Sequence, residues 1–318
     1  MSIANPSRKR DHGGGIDAAV ARFGGTRDGW LDLSTGINPV PYPVGTISAE
    51  AWAALPDRNA QDGLEAAARA FWNIPDDVAV LAAPGASSLI ARIPALAPKG
   101  PAKIAGVTYN EHAAAFRAEG WDVAEDITTP DAIVRVHPNN PDGSFANETD
   151  LTAPLTVIDE SFCDVTPDRS LIHLAQRPNT LVLKSFGKFW GLAGLRIGFA
   201  VGDQALIARL SDMMGPWAVS GPALQVGTRA LRDLYWADQT RARLTQDTAR
   251  MDALMQAKGA ELVGGTTLFR LYDVGDARSW QDQMAKAHVW TRIFPYSDRW
   301  IRLGLPAPSR WDQFEASL

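Results

Sequence analysis

The chain has 318 residues, of which 46% are hydrophobic and 21% charged, and its net charge is -5. That supplies a core for one large or two moderate domains and leaves no basic footprint for nucleic acid or an anionic membrane. The single cysteine, Cys163, excludes an internal disulfide framework and fits a reducing cytoplasm, and the five histidines are scattered without metal-ligand spacing. Residues 1–10 are polar and basic, without the apolar core of a signal peptide, and no apolar run approaches the ~20 residues of a membrane span.

Short apolar runs alternate with helical patterns through the middle of the chain. Strands are expected at 78–81, 103–107, 133–136, 155–158, 180–183 and 197–201, with helices at 87–96, 111–119 and from 204 onward. Runs this short and apolar are strands buried on both faces, so the expected fold class is α/β: a mostly parallel sheet covered by helices. Beyond Pro216 and Gly221-Pro222 the pattern becomes helical and charged, with a long helix at about 238–258. Strand-like runs at 267–272, 289–294 and 300–303 suggest a small α+β domain. The expected division is a large domain over 49–235 and a small one over 236–318, with residues 1–48 packing on the small one. The eleven tryptophans read mainly as core and interface filling.

Polar clusters follow the strands in a regular way. Gly85-Ala86-Ser87 follows the first, Tyr109-Asn110-Glu111-His112 the second and Asn139-Asn140-Pro141 the third. Asp159-Glu160 follows the fourth and Ser185 to Lys188 the fifth. In open α/β sheets ligands bind outside the carboxyl ends of the strands, so these clusters should converge on one crevice. Each also has a plainer reading. Gly85-Ala86-Ser87 is a strand-to-helix turn whose N–H groups can take a phosphate. The Asn139 to Gly143 stretch is a turn by composition. Asp159 could simply cap a helix, and His112 could be an ordinary residue at a helix start.

The segment Lys184-Ser185-Phe186-Gly187-Lys188, continuing through Gly191 and Gly194 to Arg196, is the most informative. It puts a lysine amine beside a hydroxyl, a glycine-rich turn and a guanidinium. An amine can bond an aldehyde, and a hydroxyl with an arginine fork can hold a phosphate. Lys188 is favoured over Lys184 by the glycines around it and by its offsets from Ser185 and Arg196. Asp159 is favoured over Glu160 because it follows its strand directly.

These motifs resemble the lysine and Asn-Pro segments of the fold-type I aminotransferases, which depend on pyridoxal 5'-phosphate (PLP). His12-Gly13-Gly14 and Ser34-Thr35-Gly36-Ile37-Asn38-Pro39 narrow the likeness to the threonine-phosphate decarboxylases of cobalamin biosynthesis, relatives of histidinol-phosphate aminotransferase. The resemblance implies that Lys188 carries PLP and that Asp159 faces the pyridine nitrogen. It implies further cofactor contacts from Gly85, Ala86, Ser87, Tyr109, His112, Asn140, Ser185 and Arg196. It assigns the substrate, a phosphorylated amino acid, to His12, Gly36, Ile37, Arg292 and Arg302. It also implies a cytoplasmic homodimer. Two positions depart from the wider pattern: Phe162 stands where many members carry a tyrosine, and Leu55 replaces the tyrosine of a Tyr-Pro-Asp segment.

The main alternative is an aminotransferase acting on histidinol phosphate or another amino acid. A PLP-binding transcriptional regulator would need a DNA-binding domain, for which the short N-terminal segment leaves no room. A dinucleotide loop over 191–198 fails on glycine spacing.

Overall fold

The computed structural model describes residues 12–318; the polar stretch 1–10 lies outside them. The chain divides into two units. The larger comprises Ile37–Ala249 and Gly264–Leu268, and the smaller takes the described residues up to Gly36 together with Arg250–Val263 and Phe269–Leu318. The boundaries thus fall after Gly36 and Ala249 rather than at 48 and 235. Asn38 and Tyr42 bond to the segment around Lys188, and Trp236 stacks on Trp190, which draws both stretches into the large unit.

The large unit is built on a seven-stranded sheet. Its strands are β1 (Ala79–Ala83), β2 (Pro101–Ile104), β3 (Asp122–Ala124), β4 (Ala132–Val136), β5 (Leu155–Asp159), β6 (Thr180–Ser185) and β7 (Gly198–Gly202). The spatial order is β1-β7-β6-β5-β4-β2-β3. Only β7 pairs antiparallel with its neighbours, so the sheet is mostly parallel as the apolar runs imply. The short edge strand β3, three residues that begin with Asp122, has no counterpart in the sequence reading. Strands β5 and β7 are buried along their whole length, which is why their residues are apolar at consecutive rather than alternate positions.

The helices are α1 (Ala49–Ala53), α2 (Arg58–Trp72), α3 (Ala86–Ile90), α4 (Asn110–Ala118), α5 (Gln204–Met214), α6 (Gly221–Leu231) and α7 (Leu234–Ala257). The helix expected over 87–96 is interrupted: α3 ends at Ile90, and a 3-10 turn, with Pro94 at its start, takes Ile93–Leu96. Helix α2 shows why such segments form. Asp57 caps it by accepting from the Ala60 N–H at 2.9 Å, Leu64, Ala67, Ala68 and Trp72 make a buried stripe, and Asn73 ends it at φ 49°. Burying Leu64 alone contributes about 1.5–3 kcal/mol.

The smaller unit contains three strands paired antiparallel in the order Arg292–Phe294, Ser297–Gly304, Phe269–Asp273. The run expected over 289–294 is two strands. Val289–Trp290 pairs in parallel with Leu31–Asp32, and Arg292–Phe294 joins the antiparallel sheet. Helix Ile16–Phe23 buries Ile16 and Ala19 with Trp30 and Ala285.

Candidate active site

The segments that follow β1, β2, β4, β5 and β6 open onto one cavity of the large unit. Gly85, Ala86, Ser87, Tyr109, Asn140, Asp159, Phe162, Ser185, Lys188 and Arg196 all line it. Every cofactor contact expected from the sequence is therefore in this wall except His112, which lies directly behind it.

Asp159 ends β5 and is 2% exposed. Its Oδ2 lies 2.8 Å from His112 Nε2. Its Oδ1 accepts the Ser161 hydroxyl at 2.5 Å and the Ser161 N–H at 2.9 Å. Burial works against the charge, but the bonds from His112 and Ser161 more than offset it, holding the carboxyl below the usual carboxylate range. The site thus keeps a buried carboxylate ionised. Ser161 was not singled out in sequence; a hydroxyl two residues after a strand-end acid is the signal for such an Asx turn.

Lys188 reaches the cavity from the turn after β6, with its Nζ 5.2 Å from the centre of the Phe162 ring. The rivals are elsewhere. Lys184 is 2% exposed and Glu160 fully buried. They bond to each other, and the remaining capacity of Glu160 goes to the Leu171 N–H and the Ser170 hydroxyl. The neighbouring His137 and Cys163 lie close to Glu160. His137 is already committed, its Nδ1 accepting from the Ala146 N–H and its Nε2 donating to the Arg169 carbonyl.

The cavity wall also carries a guanidinium, that of Arg196. Gly85 has φ 82°, and a side chain there would meet the Arg196 guanidinium at 2.5 Å, so only glycine lets the arginine lie over the loop. Arg196 itself holds a left-handed backbone at φ 55°, a conformation that costs a non-glycine residue about 1 kcal/mol or more and recurs at functional sites. Ser87 and Ser185 add hydroxyls beside it. Tyr109 stands edge-on to His112, ring centres 6.1 Å apart, and burial raises its phenol to about 12, so it remains neutral.

This donor set fits PLP. An arginine, two hydroxyls and a glycine turn suit a phosphate, a lysine suits an aldehyde and an ionised acid suits a protonated pyridine.

In the smaller unit, Arg302 is 5% exposed and donates to the Ser34 carbonyl at 2.8 Å. Arg292 is its partner across the strand pair. Burial, then the Arg292 charge, lowers the Arg302 guanidinium to about 10. Ser34 also accepts from the Gly14 N–H at 2.7 Å, which docks the segment after the exposed His12. His12, Gly36, Arg292 and Arg302 thus belong to one unit, and Ile37 opens the other.

Comparison with known proteins agrees with this chemistry. The family described as aminotransferase class I and II matches residues 122–312. Threonine-phosphate decarboxylase of a Sinorhizobium species is 38% identical over 95% of both chains. The same enzyme of Pseudomonas aeruginosa is 36% identical over 97% of both. Among solved structures, histidinol-phosphate aminotransferase from Clostridium acetobutylicum has the same fold, with a TM-score of 0.80 at 18% identity over 90% of this chain and 97% of its own.

Proposed function

The chain belongs to the class I and II aminotransferase family, and on that premise we infer that it is a PLP-dependent lyase. Its reaction converts L-threonine O-3-phosphate to (R)-1-aminopropan-2-yl phosphate and carbon dioxide, a step of cobalamin biosynthesis. The observation that carries the choice of reaction is the likeness to threonine-phosphate decarboxylases along nearly the whole chain. The residue chemistry below is compatible with either decarboxylation or amino transfer.

When bound, PLP supplies an electron-accepting ring conjugated to the substrate nitrogen. The residues do the rest. Lys188 would hold the cofactor through its amine, and the same amine would be placed to carry a proton to the substrate Cα. Asp159, held ionised by His112 and Ser161, favours the protonated ring nitrogen. Arg196, Ser87, Ser185 and the Gly85-Ala86 backbone would hold the cofactor phosphate. Tyr109 would pack on the cofactor. Asn140 would supply an amide donor to it without help from Phe162, which has no hydroxyl to donate.

Arg302 is proposed for the substrate carboxylate, with Arg292 and His12 for its phosphate and the Gly36-Ile37 backbone as a further substrate contact. The support is electrostatic. Two arginines placed opposite each other on paired strands repel, and a bound anion relieves the cost. By gripping the carboxylate, Arg302 would orient the bonds at the substrate Cα and so select between loss of carbon dioxide and loss of a proton.

The reading also proposes a homodimer, in the cytoplasm. A groove lined by Ala51, Ala54, Leu55, Pro56 and Leu224, with Trp52 exposed on α1, supports a second copy as its occupant, and no helix among the described residues is long and apolar enough to cross a membrane. Light scattering across a concentration series tests the dimer.

The test of the reaction is to incubate the PLP-loaded protein with L-threonine O-3-phosphate, with and without a 2-oxo acid. Release of carbon dioxide independent of the oxo acid supports the proposal. Amino transfer to the oxo acid without carbon dioxide overturns it in favour of an aminotransferase.

A further inference from the structure

We propose that Asn38 is a positioning residue for Lys188, and that Arg243 on α7 fixes the orientation of its amide. The inference rests on the reading of Lys188 as the cofactor-bearing lysine.

A lysine amine sits at the end of a four-carbon stem with several rotatable bonds. What the protein can fix is the backbone from which the stem grows. Here the three consecutive carbonyls of residues 188, 189 and 190 are each bonded from one segment, 38–42. The Asn38 N–H donates to the Lys188 carbonyl at 3.0 Å, and the Tyr42 N–H to the Trp190 carbonyl at 2.9 Å. Between them, the Asn38 side-chain Nδ2 donates to the Phe189 carbonyl at 2.8 Å. The turn closes on itself through the Gly191 N–H, which also reaches the Lys188 carbonyl, at 3.1 Å. Gly191 has φ 68°, and a side chain there would lie 2.7 Å from Pro41 Cα. The two segments are in contact, and only glycine permits the approach.

Asn38 is 2% exposed, and both polar atoms of its side chain are committed. Its Oδ1 accepts the Val40 N–H at 3.0 Å and Arg243 Nη2 at 2.5 Å. Arg243 is in turn held by Asp247, one turn along α7, at 2.9 Å. Arginine has donors only. It therefore pins the amide with its oxygen toward α7 and its NH2 toward Phe189. The same logic explains why asparagine is required. Aspartate has the same shape and would keep the Arg243 and Val40 bonds. It would, however, set a second oxygen against the Phe189 carbonyl, where both groups are acceptors.

The test uses Asn38→Asp as the isosteric variant and Arg243→Met as a second variant remote from the cavity, with Arg243→Lys as the conservative rescue. Two readouts are taken. In the protein without cofactor, hydrogen–deuterium exchange is followed in peptides spanning 186–192. In the reconstituted protein, the rate of PLP attachment to lysine is followed by borohydride trapping. The proposal expects exchange in 186–192 to accelerate about tenfold in Asn38→Asp and Arg243→Met. PLP attachment should slow by a similar factor, the far-ultraviolet spectrum should stay unchanged, and Arg243→Lys should restore both rates.

Exchange at the wild-type rate in Asn38→Asp overturns the latch. Faster exchange with an unchanged attachment rate overturns its positioning role. If Asn38→Asp fails to fold, Arg243→Met decides by the same two readouts. If the wild-type protein itself attaches no PLP at Lys188, the underlying cofactor reading fails, and that outcome is distinguished because it needs no variant.

Discussion

The ammonium of Lys184 is buried against the carboxylate of Glu160, and this pairing removes both from the cavity that their chain neighbours line. Glu160 follows Asp159 directly, and Lys184 precedes Ser185. Side chains alternate between the faces of a strand, so one residue at the end of each strand faces the cavity while its neighbour turns into the protein. Burial opposes the Lys184 charge, but Glu160 and Asp164 more than offset it and raise its pKa.

The pair gives a stability prediction. Lys184→Met leaves Glu160 buried without its cation, which costs about 3–5 kcal/mol. The double variant Lys184→Met with Glu160→Gln removes both charges and should recover most of that loss. Urea unfolding of the three proteins measures it; a single variant as stable as wild type contradicts the role assigned to the pair.

Asp159→Asn should fold and still bind PLP, but lose about 100-fold or more in turnover, the scale seen when one preorganised electrostatic partner is removed. His112→Ala, which loosens Asp159 without removing it, should lose less. Steady-state kinetics with threonine phosphate provides the comparison, and equal losses would argue that His112 contacts the reacting groups itself.

The same carboxyl sets an acid limit. Its pKa in the folded protein lies below the unfolded value. The stabilisation it provides is therefore complete above about 4 and is lost as pH falls through the folded value. The unfolding free energy of wild type should fall more steeply below that pH than that of Asp159→Asn. Parallel curves would show that Asp159 is not the depressed group.

Tyr109 sets an alkaline mark. Its phenol is raised to about 12 by burial first, so the folded protein resists its ionisation. A group raised in this way contributes stability below its unfolded value, near 10, and loses it as pH rises toward 12. Ultraviolet titration of wild type and Tyr109→Phe should differ by one tyrosine ionising near 12. A difference near 10 would mean that the ring is solvated.

Arg302→Lys keeps the charge but loses the planar fork. With a charge-assisted bond worth about 1.5–3 kcal/mol, the KM for threonine phosphate should rise about 10- to 100-fold. An unchanged KM would separate Arg302 from the substrate.

Much of this arrangement was legible in the sequence because strand ends carry a local signature: an apolar run, then a polar cluster. Five such clusters sit at one end of the sheet, and the cavity wall follows from that regularity. What stayed hidden depends on packing between distant segments. The choice of Asp159 over Glu160 has a local reason, the alternation along β5. The Asn38 bonds to the lysine turn and the Arg243 contact do not, since they join positions about 150 and 205 residues apart. The unit boundary at Gly36 was missed for the same reason: the 38–42 segment is tied down by a turn far along the chain. Strand β3 was missed because three residues at a sheet edge, one of them Asp122, are too few to carry a periodicity.

The most direct test of the account is to load the protein with PLP, reduce it with borohydride, digest it and locate the modified lysine by mass spectrometry. The account predicts a single pyridoxyl group on Lys188. Modification at Lys184, or at any other lysine with Lys188 untouched, would contradict it.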